Sequence, residues 1–433
     1  MAHRTNRRRF LQTSAVTGVG FWVSGSSRAA DSDSPNERIR FACVGVGGKG
    51  SSDSEDCGRR GDVVGICDID EKRLDSAAKK FPNAKKFVDY RKMLEELGDN
   101  VDAVTVSTPD HTHAVASLAA MRMGKHCFTQ KPMTHSIQEA RLMGQVAGEQ
   151  GVKTMMGNQG TAEPGVRRAA ALVQAGTLGT VTEAHVWTNR PVWPQGGSFP
   201  PAADKPAHVH WDLFLGPAKM RPYSPNVHPF KWRGWWDFGT GALGDMACHT
   251  MNMPFMALDL RNPISVEAEH AGHNGESYPK WSVIRYEFAA TDSRPPVSLT
   301  WYDGGKLPTA ELLDGKTPSS SGALLVGEKA KLFSPNDYGA EFEILGDVNV
   351  PDDIEFERSP GHFDEWVRAI QGGPEARSNF AGYAGPLTET VLLGNLALWA
   401  GKRVDWDAEN LVAKNAPELE PLIRHEYREG FTI

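Results

Sequence analysis

The first third of the chain alternates short apolar runs with longer amphipathic stretches. Apolar runs of strand length occur at 38–45, 62–68, 101–107, 126–129 and 152–156. Between them lie stretches of helical length and composition, among them 113–123 and 136–149. Strands that alternate with helices form a parallel, doubly wound sheet. The pattern therefore predicts an α/β domain over 38–158.

Beyond residue 158 the strand candidates follow one another without the same alternation. These valine- and aromatic-rich segments are 181–187, 264–269, 281–288, 297–302, 322–326 and 331–333. Strands in such a succession form a largely antiparallel sheet, and helices are expected at 362–370 and 386–399. The sequence predicts a second, α+β domain over 159–402 and a C-terminal tail over 403–433.

A long segment rich in tryptophan, proline and glycine interrupts the second domain at 191–245. It is too long for an ordinary connector, which indicates a functional role. Aromatic faces stack on sugar rings, but large aromatic side chains are equally typical of packed cores and subunit interfaces. We assign Trp235 and Trp236 to a substrate pocket, with packing or an interface as the open alternative.

The N-terminus has the order of features of an export signal. The run Asn6-Arg-Arg-Arg-Phe10 precedes a weakly apolar stretch at 15–23, and Ser27 and Ala29 then supply small residues at the −3 and −1 positions of a cut after Ala29. This order resembles a twin-arginine signal peptide over 1–29 with a linker over 30–37, which predicts an exported, periplasmic protein. The apolar stretch is too short to span a bilayer. Because this route carries folded proteins, we expect a cofactor to be loaded before export and held tightly.

Composition narrows the classes of partner. The formal net charge is −7, and residues 1–29 hold five arginines and no acidic residue, so the chain without them is more acidic still. An acidic protein is a poor partner for nucleic acid. The five cysteines are scattered without a C-x-x-C pair, which indicates neither a disulfide framework nor a zinc site. His111 and His113 lack a clear third ligand, so we expect no metal.

A glycine-rich turn follows the first predicted strand. The stretch Gly45-Val-Gly47-Gly48-Lys-Gly50 has the spacing G-x-G-x-x-G. Such glycines let the backbone turn tightly and approach a pyrophosphate at a helix N-terminus. Asp68 ends the next strand, where a carboxylate accepts from a ribose 2′-hydroxyl and repels a 2′-phosphate. The sequence predicts a Rossmann domain that binds NAD, while Lys72 and Arg73 leave NADP open.

Three further motifs occur in a fixed order. Thr108-Pro109-Asp-His-Thr-His113 follows the third strand, Gln130-Lys131-Pro132 follows the fourth, and Gly244-Asp245-Met-Ala-Cys-His249 lies in the second domain. With the glycine-rich turn they resemble the glucose-fructose oxidoreductase/inositol dehydrogenase (Gfo/Idh/MocA) family from about Arg38 onward. The resemblance implies an NAD(P)-dependent oxidoreductase that transfers a hydride between the nicotinamide and a secondary alcohol or ketone of a sugar, cyclitol or sugar derivative.

The resemblance also implies roles for the motif residues. Lys131 corresponds to the catalytic lysine of a Glu-Lys-Pro motif, and Asp245 and His249 correspond to the acidic residue and histidine of a Gly-Asp-x-x-x-His motif. Gln130 stands where the family commonly has glutamate. Glutamine at this position keeps a hydrogen bond but removes the negative charge. The implied cofactor-binding residues are Gly45, Gly47, Gly48, Gly50, Asp68, Thr108, Pro109, His113, Gln130 and Lys131.

These residue types suit the oxidation of a secondary alcohol, which needs a base for the hydroxyl proton and a donor for the reacting oxygen. We assign His249 as the proton acceptor, with an unperturbed pKa near ~6.5, and Lys131 as the donor. Asp245 lies four residues earlier, on the same face of a helix, and orients the imidazole or binds a substrate hydroxyl. Asn158 and Gln159, just past the last strand of the first domain, are further substrate contacts. A purely structural Asp245–His249 pair is the alternative.

Two other functions fit the same residues. A redox-assisted glycosidase or lyase would oxidise and re-reduce one sugar carbon with no net redox change. A non-catalytic sugar-binding relative would keep the fold alone; Lys131, Asp245 and His249 argue against it, and Gln130 argues slightly for it. The family resemblance and an open sheet in the second domain predict a homo-oligomer.

Overall fold

The computed structural model describes residues 38–433, so the signal peptide and linker predicted over 1–37 lie outside the described residues. The first domain is a six-stranded parallel sheet in the order β3-β2-β1-β4-β5-β6. Its strands are β1 (Ile39–Val44), β2 (Gly61–Cys67), β3 (Lys85–Phe87), β4 (Ala103–Val106), β5 (His126–Gln130) and β6 (Thr154–Gly157). Apart from the short edge strand β3, these strands are almost continuously buried. Continuous burial is expected of a parallel sheet covered on both faces.

Five helices connect these strands, and local sequence fixes where several of them begin. They are α1 (Lys49–Gly58), α2 (Glu71–Lys80), α3 (Tyr90–Leu97), α4 (Asp110–Arg122) and α5 (Ile137–Gln150). Asp70 and Asp89 accept hydrogen bonds from the first-turn amides of α2 and α3. Ser136 and Glu139 form a reciprocal capping box at the start of α5. The predicted doubly wound domain is confirmed.

The second domain contains a nine-stranded sheet in the order β15-β14-β13-β7-β12-β11-β10-β16-β17. Its strands are β7 (Val181–Trp187), β10 (Ser265–His270), β11 (Ser282–Phe288), β12 (Val297–Tyr302), β13 (Gly322–Gly327), β14 (Lys331–Ser334), β15 (Glu343–Leu345), β16 (Val404–Asp407) and β17 (Val412–Ala413), and two short strands of the insertion are β8 (Pro225–Asn226) and β9 (His228–Pro229). Within the nine-stranded sheet, β7 and β12 pair in parallel, and the other recorded pairs are antiparallel. The predicted largely antiparallel sheet is therefore confirmed.

Seven α-helices of the described chain follow residue 158, and some of them pack on this sheet. They are α6 (Pro164–Gln174), α7 (Trp211–Leu215), α8 (Gly241–Thr250), α9 (Asn252–Leu258), α10 (His362–Ile370), α11 (Gly385–Ala400) and α12 (Glu420–Ile423). Helix α11 packs on β10 and β11. In the part of the chain that the structure describes, no helix combines the length and the apolar character needed to cross a bilayer.

Two segments lie elsewhere than the predicted domain boundaries place them. The predicted tail 403–433 contributes β16, which pairs with β10, so it continues the second sheet. Helix α10 leaves that sheet and packs on the first one: the Phe363 ring stacks on Phe128 at 4.4 Å, and Trp366 lies 5.7 Å from the same ring. Apolar periodicity marks an element but not the sheet it covers, which explains both differences.

Candidate active site

A cavity of about 480 Å³ opens where β1, β2, β4 and β5 end. Gly45, Gly47 and Gly48 line it at the start of α1. A Cβ at Gly45 would lie 2.5 Å from the Ser107 carbonyl oxygen, and one at Gly50 would lie 1.8 Å from the Gly45 oxygen. A Cβ at Gly48 would meet nothing within 4 Å, because this part of the turn faces open space. Exposed backbone at a helix N-terminus fits a dinucleotide pyrophosphate.

The Asp68 carboxylate accepts hydrogen bonds from the glycine-rich turn. Its Oδ2 accepts from the amides of Val46 at 3.0 Å and Gly47 at 3.2 Å, and its Oδ1 accepts from the Asp70 amide at 3.0 Å. Burial raises the pKa of Asp68, and these hydrogen bonds work in the opposite direction. The carboxylate also lines the cavity, as a ribose-binding residue must. The Arg73 side chain lies against Gly47 and adds a positive charge beside it.

The Thr-Pro turn reaches the cavity, but its second histidine does not. Thr108 and Pro109 are among the lining residues. The two ring nitrogens of His113 each lie 2.8 Å from a carbonyl oxygen, those of Pro132 and Thr108. His113 thus ties together two turns that carry cofactor-binding candidates, and it is not among the residues that line the cavity. Both nitrogens of His111 also contact carbonyl oxygens, at 3.1 and 2.8 Å.

Lys131 and Asp245 line the same cavity and contact each other there. The Lys131 Nζ donates to Asp245 Oδ1 at 2.8 Å and to the Asp245 carbonyl oxygen at 2.7 Å. Arg233 Nη1 lies 3.0 Å from Oδ1, and Arg190 Nε lies 3.6 Å from Oδ2. Burial alone would raise the pKa of Asp245, but the charges of Lys131 and Arg233 outweigh it and hold that pKa well below its usual range. The carboxylate therefore stays ionised and fixes the ammonium group.

His249 is oriented by Asn158. The Asn158 Nδ2 donates to the Cys248 carbonyl oxygen at 2.6 Å, which turns its Oδ1 toward the imidazole. His249 Nδ1 lies 2.7 Å from that Oδ1 and must donate to it, so in the neutral ring Nε2 carries the lone pair. Asn158 is fully buried and acts on His249, whereas it was expected to face the substrate.

The expectation of an unperturbed pKa at His249 is wrong. Its side chain is 3% exposed, and its ring packs at 4.6 Å against Tyr338. Burial, followed by the positive charge of Lys131, lowers the pKa of His249 well below its ordinary value. His249 is not among the described residues that line the cavity. Gln159, the residue after Asn158, is half-buried and begins a short 3₁₀ turn. It was predicted to contact the substrate, but it does not line the cavity.

The two tryptophans assigned to the pocket lie outside it. Trp235 is buried in a small aromatic core of the insertion, 5.0 Å from Phe199. Trp236 stacks on Tyr278 at 3.7 Å. Trp193 and Trp232 line the cavity instead, together with Phe230 from the same insertion. The turns of this irregular segment decide which rings face inward, and no periodicity in the sequence records them.

Gln130 contacts a carboxylate that the sequence motifs do not mark. Its Nε2 donates to Asp53 Oδ2 at 2.8 Å, and Ser107 Oγ donates to the same oxygen at 2.7 Å. Asp53 lies on α1, is fully buried, and also accepts from Lys49 Nζ at 2.7 Å. The negative charge missing from position 130 thus lies one hydrogen bond away, on the helix that begins at the glycine-rich turn.

The insertion is joined to the first domain beside Asp68. The Glu71 amide donates to the His208 carbonyl oxygen at 3.0 Å, a main-chain contact across the domains. Asp70 accepts from both imidazoles, His208 Nδ1 at 2.9 Å and His228 Nε2 at 3.1 Å. His228 and Phe230 then continue into the cavity wall. The insertion therefore helps to form the same cavity as the glycine-rich turn.

Two family models match the chain. The first describes an oxidoreductase family with an NAD-binding Rossmann fold and matches residues 39–158. The second describes the C-terminal alpha/beta domain of an oxidoreductase family and matches residues 165–433. Together the two matches span well over half of the chain.

Individual proteins are similar over shorter stretches. A glycosyl hydrolase family 109 protein of Solibacter usitatus (strain Ellin6076) is 30% identical over 152 residues, which cover 31% of this chain and 35% of that protein. A levoglucosan dehydrogenase of Pseudarthrobacter phenanthrenivorans is 24% identical over 177 residues, which cover 41% of this chain and 37% of that protein. The chain spans only about a third of the length of these relatives.

Among solved structures, the WlbA dehydrogenase from Bordetella pertussis in complex with NADH and UDP-GlcNAcA superposes with a TM-score of 0.62. The superposition covers 86% of this chain and 99% of that chain at 18% sequence identity. At this level of identity the similarity establishes the fold, and the chemistry must be argued from the residues.

Proposed function

We propose, since this chain belongs to the Gfo/Idh/MocA family of NAD-binding oxidoreductases, that it transfers a hydride between NAD and a secondary alcohol or ketone of a sugar-like molecule. The observation that carries the proposal is a single cavity with two kinds of wall. Gly45 and Gly47 line one part of it, and the ion pair of Lys131 and Asp245 lines another. A dinucleotide seated on the glycines therefore places its reactive end toward the ion pair.

Lys131 is the residue that holds the reacting oxygen. Two of its three N–H groups are committed to Asp245, and the third is left for a substrate hydroxyl or carbonyl oxygen. Asp245 keeps the ammonium group in one position, so little reorganisation is needed when charge develops on the substrate oxygen. When bound, NAD supplies the hydride acceptor or donor.

His249 is the proton acceptor in this proposal. Asn158 fixes the tautomer whose Nε2 lone pair can accept the hydroxyl proton. The lowered pKa keeps the imidazole neutral, hence able to accept, at pH values where an ordinary histidine is already protonated. We therefore expect the acid limb of the pH–rate profile for alcohol oxidation to lie below pH ~6.5. Because His249 does not line the cavity, the proposal requires a rearrangement beside the imidazole, where the Tyr338 ring packs at 4.6 Å.

The proposal is tested on the purified protein without added cofactor. Mass analysis of the released small molecules identifies bound NAD(H) or NADP(H), and candidate sugars are then added while the nicotinamide absorbance is followed. Reduction of the bound cofactor by a sugar supports the oxidoreductase. Absence of any dinucleotide, before and after incubation with NAD, overturns it in favour of a sugar-binding protein.

A redox-assisted glycosidase is the second candidate, favoured by the similarity to a glycosyl hydrolase family 109 protein. The same residues would then oxidise one sugar carbon and later reduce it again. The two candidates separate in one assay with an aryl glycoside. Release of the phenol without net change in the nicotinamide absorbance supports the glycosidase, and net reduction without phenol release supports the dehydrogenase.

Export by the twin-arginine route, with the cofactor already bound, is part of the proposal. Its support is the order of the basic run, the apolar stretch and the small residues Ser27 and Ala29. The test is cell fractionation of the full chain beside the double variant Arg7→Lys and Arg8→Lys. We expect the variant to stay in the cytoplasm, and equal export of both proteins would overturn this part.

We also propose that the protein forms a homo-oligomer. Its ligand is a small sugar-like molecule, and it has no nucleic-acid partner. The support is the family and the nine-stranded sheet, in which every second residue of β11 and β12 is half-buried or exposed. Light scattering on the purified protein measures its mass in solution. A monomer mass at micromolar concentration would overturn the oligomer.

A further inference from the structure

The charges around Asp245 do not balance. Lys131, Arg190 and Arg233 all approach this one carboxylate within 3.6 Å. Asp110, fully buried, offsets part of the excess, since its Oδ1 lies 3.5 Å from Arg233 Nη2. Three cations thus face two carboxylates, and one positive charge remains without a partner in the cluster. An unpaired charge in a partly buried site costs free energy that a bound anion restores.

Arg190 makes the longest ion pair of the three cations around Asp245. It follows β7 and lines the cavity, and its guanidinium reaches Asp245 only at 3.6 Å while also contacting the Asn189 side chain. Its side chain keeps 26% of its surface exposed, compared with 15% for Lys131 and for Arg233. The excess charge is therefore accessible from the cavity at Arg190.

Arg233 supports Arg190 from the opposite oxygen of Asp245. Its guanidinium lies over the Trp232 ring, 4.4 Å from the centroid, which limits its freedom to swing away. Lys131 and Arg233 approach Oδ1, whereas Arg190 approaches Oδ2. The lysine that holds the reacting oxygen and the exposed guanidinium thus contact the two oxygens of one carboxylate, so a single bound molecule can reach both.

We propose that the substrate is a sugar acid, whose carboxylate binds Arg190, with Arg233 as its second cation, while a ring hydroxyl meets Lys131. The planar guanidinium fork matches a carboxylate with two parallel hydrogen bonds, which a neutral hydroxymethyl group cannot form. This inference rests on the proposed function, because it specifies the substrate class of the same site.

The test compares matched pairs that differ in one group: D-glucuronate with D-glucose, D-galacturonate with D-galactose, and D-gluconate with D-glucitol. Titration calorimetry measures their binding to the protein with its bound cofactor. We expect the acid of at least one pair to bind roughly tenfold to a hundredfold more tightly than its neutral partner. The preference should disappear in Arg190→Gln and survive in part in Arg190→Lys, which keeps charge but not the fork.

The control variant is Arg285→Gln, an arginine on β11 that pairs with Glu269 at the surface and should leave the preference unchanged. Thermal unfolding of each variant shows that it is folded. Equal or tighter binding of every neutral sugar, no binding of any acid, or an unchanged preference in Arg190→Gln would overturn the inference.

The two proposals fail in different ways. Reduction of the bound cofactor by a neutral sugar, with no preference for acids, leaves the oxidoreductase standing and removes the anion site. Tight, Arg190-dependent binding of an acid with no change in nicotinamide absorbance for any sugar, and no glycoside cleavage, leaves the anion site standing and removes the catalytic proposal.

Discussion

Replacing Gln130 by glutamate would bring two carboxyl groups into hydrogen-bond contact in a fully buried place. In the native protein Gln130 Nε2 and Asp53 Oδ2 are 2.8 Å apart. Two full charges at that distance would repel by about 6 kcal/mol at an effective dielectric constant of about 20. Taking up a proton at pH 7 costs an ordinary glutamate only about 4 kcal/mol. Protonation is therefore the cheaper response, and the new carboxyl group keeps the hydrogen bond by donating to Asp53.

The stability loss in Gln130→Glu depends on pH. The introduced carboxyl group has a raised pKa in the folded protein. Its destabilising effect therefore vanishes below pH ~4.3, the pKa of glutamate in the unfolded chain, and grows as the pH rises. We expect Gln130→Glu to lower the free energy of unfolding by about 4 kcal/mol at pH 7 and by about 1 kcal/mol at pH 5. Urea unfolding at the two pH values measures both numbers.

The double variant Asp53→Asn with Gln130→Glu reverses the polarity of the pair. An amide on α1 then donates to a carboxylate on β5, and the repulsion is gone. We expect it to recover all but about 1 to 2 kcal/mol of the loss at pH 7, the remainder reflecting the charge that Lys49 no longer faces. Gln145→Glu, at an exposed position of α5, is the matched control and should change little. A pH-independent loss, or a double variant no more stable than Gln130→Glu, would refute the reasoning.

Three further predictions concern the cavity. Lys131→Ala should lower turnover roughly a hundredfold or more while the bound NAD, measured by mass analysis, stays unchanged. Asn158→Ala frees His249 and should lower kcat roughly tenfold to a hundredfold with little change in the KM for the sugar, as steady-state kinetics will show. Asp70→Asn keeps the helix cap but weakens the contacts that His208 and His228 of the insertion make with this residue. We expect it to speed the loss of NAD on dialysis. The control Asp75→Asn, on the exposed side of α2, should not change that rate.

The alternation of strands and helices, the glycine-rich turn and the separate second sheet were predictable from the sequence because each has a local signature. The pairing of β16 with β10 was not. Strand β16 has the sequence Val404-Asp-Trp-Asp, whose alternation is too short to separate a strand from a loop, and only the edge offered by β10 settles it.

The site divides in the same way. Lys131 and Asp245, which the family motifs single out, line one cavity although they are far apart along the chain. They did not show that Tyr338 closes over His249 or that Asp53 faces Gln130, because both contacts depend on how a helix or loop is rotated in the folded protein. Burial then changed the chemistry assigned to His249, since a residue type alone carries only its ordinary pKa.

The C-terminal segment also contributes to the cavity, and it contacts the insertion through Arg428, which donates to the Gly216 carbonyl oxygen at 2.8 Å. Phe431 lines the cavity, Arg91 lies 4.2 Å from the Phe431 ring centroid, and Arg91 Nη1 donates to the Gly430 carbonyl oxygen at 2.9 Å. Both segments line the cavity, so we expect the dissociation of a bound dinucleotide to be limited by local opening of one of them. A cofactor that stays bound after it is reduced must be reoxidised in place. In the proposed reaction, reoxidation comes from a second carbonyl substrate or from the return of the hydride to the same sugar carbon, and this choice is what separates the dehydrogenase from the glycosidase.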